Sequence, residues 1–422
     1  MYPACEKEDT KMAISFSNEL LKKAAQCEEL LSDTFRRLEE TAFLNTQKVM
    51  RAFADNRLSD RHFNGTVGYG YNDDGRDLCD KLFADCFGAE AGFARAGIIS
   101  GTHALTIALQ GLLRPGDVLL SVTGKPYDTL ESVIGIQPCK GSLAEFGVRY
   151  EQIDLIDHAT LDLPTIRTRL EQGGIKVLYA QRSKGYEARR TLTVAELNEL
   201  SALAKHYPGV FFVVDNCYGE FVETEEPKAD LLVGSLIKNP GGGMAESGGY
   251  LVGSPEAVEL ASYRLTVPGI GLEAGATLGT TKNLIKGLFY APHTVLQALK
   301  TAHFAAALLE SYGYVCSPAA LEPRADIIQT VDCGEADKLL RFCRGIQAGS
   351  PVDSFVTPEG WAMPGYHDEV VMAAGTFVQG ASIELSADGP IRPPYRVFLQ
   401  GGLTYESGKY GILSAVAYME NR

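Results

Sequence analysis

A chain of 422 residues is longer than a usual single domain, so two packed units or one large α/β domain with an appendage are expected. Hydrophobic residues at 45%, charged residues at 22% and a mean hydropathy of -0.04 describe a globular protein and exclude a disordered one. Lys and Arg number 39 against 53 Asp and Glu, a net charge of -14 with no basic run, so nucleic acid is not an expected partner.

The chain begins with Glu6, Glu8 and Asp9, without the basic-then-apolar order of a secretion signal, and no apolar run approaches 18 residues; no membrane association is expected. Residues 14 to 54 place Leu20, Ala24, Cys27, Leu31, Phe35 and Leu38 at steps of three or four, which predicts an N-terminal helical arm over residues 1–64. The string GTVGYGYNDDG (65–75) is a loop by composition, which puts Tyr69 and Tyr71 on a mobile or ligand-facing segment. From about residue 77, short apolar runs (AGIIS, DVLLSV, IKVLYA, VFFVVD, DLLVGS) alternate with helical stretches such as Val194 to Tyr207. This predicts an α/β fold with a mainly parallel sheet wrapped by helices over 65–305. Sheets of that kind bind ligands at the carboxyl ends of their strands, where Ser100, Gln181, Asp215 and Ser235 fall. A Gly- and Pro-bearing stretch from Val267 to Gly279 precedes a long helix expected from His293 to Tyr312. Shorter strands in RADIIQTV and TFVQGASIEL then suggest a smaller α+β unit over 306–422. Nine scattered cysteines, with no C-x-x-C pair, read as reduced thiols of a cytoplasmic protein.

Three segments carry chemistry. In GIISGTHALTIAL, the amides of Gly101 and Thr102 open a helix after a tight turn, an arrangement that binds phosphate and that elsewhere serves as a plain helix cap. In VFFVVDNCYGEF, Asp215 ends a strand too apolar to hold an unpaired carboxylate. A pyridinium N–H would supply its partner, and capping of a following helix is the plainer use. In DLLVGSLIKNPGGG, Lys238 follows another strand end. An amine desolvated there loses affinity for its proton and becomes an imine-forming nucleophile, whereas most lysines are solvated surface charges. Ser235 offers a hydroxyl to phosphate, and Gly241 to Gly243 let the backbone turn closely beneath.

A phosphate turn, a strand-end Asp and a strand-end Ser-x-x-Lys, in that order, resemble the fold-type I pyridoxal-phosphate enzymes. The strings VRYEQIDL, QRSKGY, DNCYGEF, GSLIKNPGGG, FVQGASIELSADGP and PPYRVFLQGGLTY are similar to the methionine γ-lyase-like, aluminium-resistance branch of the cystathionine and methionine lyases. The resemblance implies pyridoxal 5'-phosphate as cofactor, held by Lys238 as a Schiff base, with Asp215 on the ring nitrogen. It implies that Tyr127 stacks on the ring and protonates the leaving group, with His103 as a rival stacking residue. Arg396 is implied to grip the substrate carboxylate bidentately, with Arg392 as runner-up; either could form a surface ion pair instead. A homodimer or homotetramer with shared active sites is implied too. The Tyr-x-Arg loop of the better-known lyases is Tyr69, Gly70 and Tyr71 here; the missing charge leaves phosphate neutralisation to Arg76 or Arg264. Gln181, Arg182 and Ser183 replace the usual Pro- and Asn-bearing strand end.

Ser-Leu-Ile-Lys also matches the Ser-x-x-Lys of penicillin-recognising enzymes, but no Lys-Thr-Gly accompanies it, and Gly68, Gly70 and Gly75 are wrongly spaced for a dinucleotide turn. The expected activity is a carbon–sulfur lyase that releases a thiol, a 2-oxo acid and ammonia from a sulfur-containing L-amino acid. γ-Replacement, transamination or a cofactor-bound stress protein with little turnover are the alternatives.

Overall fold

The computed structural model describes residues 14–362 and 368–420; the acidic start and Cys5 lie outside the described residues. Seven strands form the large sheet: β1 (Ala91–Arg95), β2 (Val118–Ser121), β3 (Arg149–Gln152), β4 (Ile175–Gln181), β5 (Phe211–Asp215), β6 (Leu231–Ser235) and β7 (Gly249–Gly253). Their order is β1-β7-β6-β5-β4-β2-β3, with β2 to β6 parallel and β7 antiparallel to both neighbours. Every residue of β2, β5, β6 and β7 is buried, because helices cover both faces of a parallel sheet. Period-two alternation sends Leu120, Leu178, Phe212 and Leu232 to one core and Leu119, Val177, Val213 and Val233 to the other.

The expected strand AGIIS is the exception among the apolar runs. The strand is the preceding Ala91–Arg95, zipped to β7 from Ala91↔Gly253 to Arg95↔Gly249, and residues 96–100 turn away from the sheet. Ile98 enters a core, Ile99 is exposed, and Ser100 caps the helix Gly101–Leu112 by accepting the His103 amide at 3.0 Å. Runs of apolar residues do not distinguish a strand from a chain dipping one side chain into the core.

The second sheet is antiparallel, ordered β10-β11-β12-β9-β8 from β8 (Val315–Ser317), β9 (Gln329–Asp332), β10 (Val370–Ala373), β11 (Ser386–Pro390) and β12 (Arg396–Gln400). TFVQGASIEL is not a strand. Its backbone wraps around the Glu384 carboxylate, which accepts the amides of Phe377 and Val378 at 2.8 and 2.9 Å, and sheet pairing begins only at Ser386. The expected helix 293–312 is longer, Thr281–Glu310, and passes through Pro292. Leu288, Ala291 and Val295 are all buried around that proline, so packing offsets the one lost helical hydrogen bond. This helix runs through position 305 and its last turns enter the core of the small sheet. The N-terminal arm is two helices, Asn18–Leu30 and Ser32–Asp55, and Leu20, Ala24, Cys27 and Leu31 join that same core.

Candidate functional site

Because β4, β5 and β6 are parallel and in register, Gln181 lies opposite Asp215 and Asp215 opposite Val233, so their carboxyl ends share one rim. The helix start reaches the same rim. A side chain at Gly101 would come within 3.4 Å of Cys217 Sγ and 3.6 Å of Ser235 Cβ. First-turn amides have no partner inside their own helix, so those of Gly101 and Thr102 remain available to an anion. Thr102 Oγ1 is 2.6 Å from Thr129 Oγ1, and Ser235 Oγ makes only a long contact, 3.5 Å, to the Gly248 carbonyl.

Asp215 is buried, and its Oδ1 accepts the Cys217 amide at 3.1 Å. This is a local turn rather than a helix cap, and among the described residues no cationic side chain pairs with the carboxylate. Lys238 stands three residues beyond β6, its Nζ 3.9 Å from the centre of the Tyr218 ring. Burial pulls its ammonium toward losing the proton, but Cys217, Tyr218, Asp215 and Glu220 outweigh that and hold the proton above lysine's ordinary range. The depressed amine expected from burial alone meets an opposing pull here, because the Asp215 carboxylate acts on the same buried amine. Glu220 itself is fully buried, and burial pushes its carboxyl up to about 8; Tyr250 donates its hydroxyl to it at 2.9 Å. Immediately after Lys238 the chain doubles back: a Cβ on Gly241 would stand 1.6 Å from the Leu236 carbonyl oxygen, and Gly242 has φ +53°.

Tyr127 is half-buried at the mouth of this crevice. Its amide donates to Gln181 Oε1 at 2.7 Å and its ring is 5.9 Å from that of Tyr186. His103 lines a cavity with Arg76, Arg95 and Leu278, where its Nδ1 accepts the Ile99 amide at 3.3 Å. Tyr69 and Tyr71 stack on each other, 5.6 Å apart, and are largely exposed. Their loop is pinned to 275–279: Gly70 has φ +60°, and a Cβ there would meet the Ala276 amide at 2.7 Å.

Within this one chain, both arginines expected to neutralise phosphate are engaged by other groups. Arg76 is buried and spends its guanidinium on the carbonyls of Gly70, Gly275 and Glu273 and on Asp77. Arg264 donates to the carbonyl of Gln110, near the end of the helix opposite Gly101, about 13 Å away at 1.5 Å per residue. The amides and the helix dipole are what the turn itself provides. Arg396 shares a sheet face with Phe398 and Gln400, but Nε and Nη2 grip Asp332 at 2.5 and 2.9 Å. Its bidentate edge is taken, which leaves Nη1 to meet a second carboxylate. Arg392 sits on a turn, half-exposed and paired with Asp368 at 2.8 Å, in a small cavity that it shares with Asp128 and Tyr186.

Cys217, Tyr218, Glu220, Tyr186 and Asp388 escaped the sequence reading, although the first three lie within five residues of Asp215 in the string DNCYGEF. A strand-end residue that meets a ligand brings its immediate successors with it, and that was the available signal. An anion-ready helix start, a buried carboxylate without a direct ion pair among the described residues and a buried lysine amine on one rim are the donor set that fits pyridoxal phosphate: phosphate, ring nitrogen and aldehyde in turn.

Comparison with known proteins gives the same answer. The family model described as methionine gamma-lyase matches residues 19–420. YnbB of Bacillus subtilis is 48% identical over 405 residues, covering 94% of this chain and 96% of its own. A crystal structure from Clostridium novyi, described as a carbon-sulfur lyase involved in aluminum resistance, superposes with a TM-score of 0.91 at 45% identity, covering 95% and 96% of the two chains. The pyridoxal-5'-phosphate dependent protein YhfS of Escherichia coli shares the fold, with a TM-score of 0.60 at 17% identity over 91% of this chain and 97% of its own. On the full-length match and the close relative, the chain belongs to the methionine gamma-lyase family.

Proposed function

We propose that this chain eliminates a thiol from a sulfur-containing L-amino acid, of the cystathionine, cysteine or methionine type, giving a 2-oxo acid and ammonia. Family membership makes it a pyridoxal-phosphate enzyme of the carbon–sulfur lyase kind. When bound, the cofactor supplies an electron sink beside the substrate Cα. Lys238 is assigned as its covalent anchor, and the Gly101 and Thr102 amides with the Ser235 hydroxyl as the phosphate cradle. Asp215 keeps the ring nitrogen protonated, a role that suits a buried carboxylate lacking any other counterion. Lys238 Nζ would take the proton from the substrate Cα, and Tyr127 would deliver one to the departing sulfur. Arg396, through Nη1, orients the substrate carboxylate.

The observation that carries this reading is the approach of the Gly101 turn to Cys217 and Ser235, between Asp215 on one strand end and Lys238 beyond the next. Purified protein should show a visible absorption band that Lys238→Ala abolishes, and borohydride reduction should fix the cofactor's mass on the peptide containing Lys238. Incubation with L-cystathionine, L-cysteine and L-methionine should release thiol and 2-oxo acid; cofactor fixed to another residue, or no thiol from any sulfur amino acid, refutes the assignment.

Exposed Val67, Tyr69, Tyr71, Ile99 and Leu278 support a homodimer or homotetramer in which a second copy covers this surface, testable by sedimentation. Eight free cysteines among the described residues support a reducing, cytoplasmic location. No helix among the described residues is long and apolar enough to cross a membrane.

A further inference from the structure

Between the two sheets lies a cavity of about 170 Å³, walled by Tyr127, Tyr186, Tyr218, Asp388, Phe398 and Gln400 among others. It shares the Tyr218 side chain with the lysine, whose Nζ lies 3.9 Å from the centre of that ring. Asp388 is buried in its wall. Gln400 Nε2 donates to it at 2.8 Å and the Tyr186 hydroxyl donates to its other oxygen. Both donors are neutral, and no cation pairs with this carboxylate among the described residues. Burial pushes the neighbouring Tyr218 phenol and Cys343 thiol up, so both keep their protons. Burial pushes the Asp388 acid up to about 6 against the two hydrogen bonds, so near neutral pH it is mostly an anion lacking a countercharge. Two residues earlier on the same face of β11, the buried hydroxyl of Ser386, which also lines the cavity, has no hydrogen-bond partner.

We propose that Asp388 is a specificity-determining residue that receives a protonated amino group at the far end of the substrate's side chain. The preferred substrate is then a thioether amino acid whose leaving fragment carries a second ammonium. This rests on the carbon–sulfur lyase reading for the thioether and on the cavity for the ammonium. A neutral side chain would fill the same space and leave a buried carboxylate unpaired, which is the costly arrangement. An ammonium meets the carboxylate directly, and the faces of Tyr127, Tyr186, Tyr218 and Phe398 attract it further. Discrimination thus comes from the demand of one charge and from the penalty paid by neutral competitors.

Two isosteric pairs test the proposal. L-Lysine and L-2-aminoheptanoate differ only in exchanging the terminal ammonium for methyl and contain no sulfur; their binding to the cofactor-loaded protein is read from the shift in its absorption. S-(2-aminoethyl)-L-cysteine and S-propyl-L-cysteine repeat the exchange in compounds that release a thiol. The ammonium member of each pair should be favoured by about tenfold or more, the size of one charged hydrogen bond, and Asp388→Asn should bring both ratios close to one. Equal binding of lysine and aminoheptanoate by the wild type overturns the proposal without recourse to any variant, as does a preference that persists in Asp388→Asn. If lysine is favoured yet neither cysteine derivative, nor L-cystathionine, L-cysteine or L-methionine, yields thiol, the Asp388 assignment stands and the lyase reading falls.

Discussion

Arg182 has no exposed side-chain surface, yet it carries a full charge beneath the rim of the site. Its Nη1 donates to Asn216 Oδ1 at 2.8 Å and lies 3.6 Å from Glu226; Nη2 meets Glu223 at 2.7 Å. Its own amide donates to the Asp215 carbonyl at 3.0 Å, so this ion network holds the end of β5 in place. Arg182→Met preserves the stem but leaves the charge of Glu226, whose side chain is 1% exposed, with only the neutral donors of Asn216 and Phe221. Removing one partner of a buried pair costs about 3 to 5 kcal/mol, and because Glu223 is one-third exposed, its contact contributes under about 1 kcal/mol of that. Urea denaturation followed by circular dichroism should show that loss. The double variant with Glu226→Gln should recover part of it, since a neutral amide no longer needs the guanidinium. Cofactor affinity should fall in the single variant too, because Asn216, next to Asp215, loses the guanidinium that holds its side chain. An Arg182→Met protein within about 1 kcal/mol of wild type would refute the account of a network bound by charge.

Further outcomes follow from the same geometry. Glu220 holds its proton up to about 8 in the folded chain, whereas an unfolded glutamate releases it near about 4.3, so its contribution to stability is complete below the lower value and is lost as pH rises through the upper one. Glu220→Gln removes that dependence, and its melting temperature relative to wild type should climb between about pH 5 and about pH 8; a constant difference would contradict the assignment. Arg76→Met deletes the donors that tie Gly70 to Gly275, so limited proteolysis at 65–71 and 268–280 should speed up by about tenfold or more while the large sheet stays resistant. Unchanged cleavage would mean that backbone pairing such as Gly275 N–H to the Tyr69 carbonyl, at 2.8 Å, suffices.

Much of the crevice could be read before any fold was known. Asp215, Ser235 and Lys238 announce themselves because a charged or polar residue at the end of a fully apolar strand needs a partner, and strand order then brings parallel ends together. Partner choice is another matter, since it depends on residues far apart in sequence. Arg396 reads as a free fork until β12 pairs with β9 and places Asp332 opposite it; Arg76 reads as a phosphate ligand until loops 200 residues apart present their carbonyls to it. Lys238 reads as an amine desolvated alone until the fold sets its Nζ over the Tyr218 ring and within reach of the Asp215 charge. Asp388 sits in a quoted string and gave no signal, because its isolation from any cation exists only where the second sheet meets Tyr186. Sequence by itself determined which residues must be expensive to bury, a local property of type and neighbours. Only the tertiary structure decided which of those charges were already answered by another side chain and which were left for a ligand, because electrostatic pairing acts through distance in space and not along the chain.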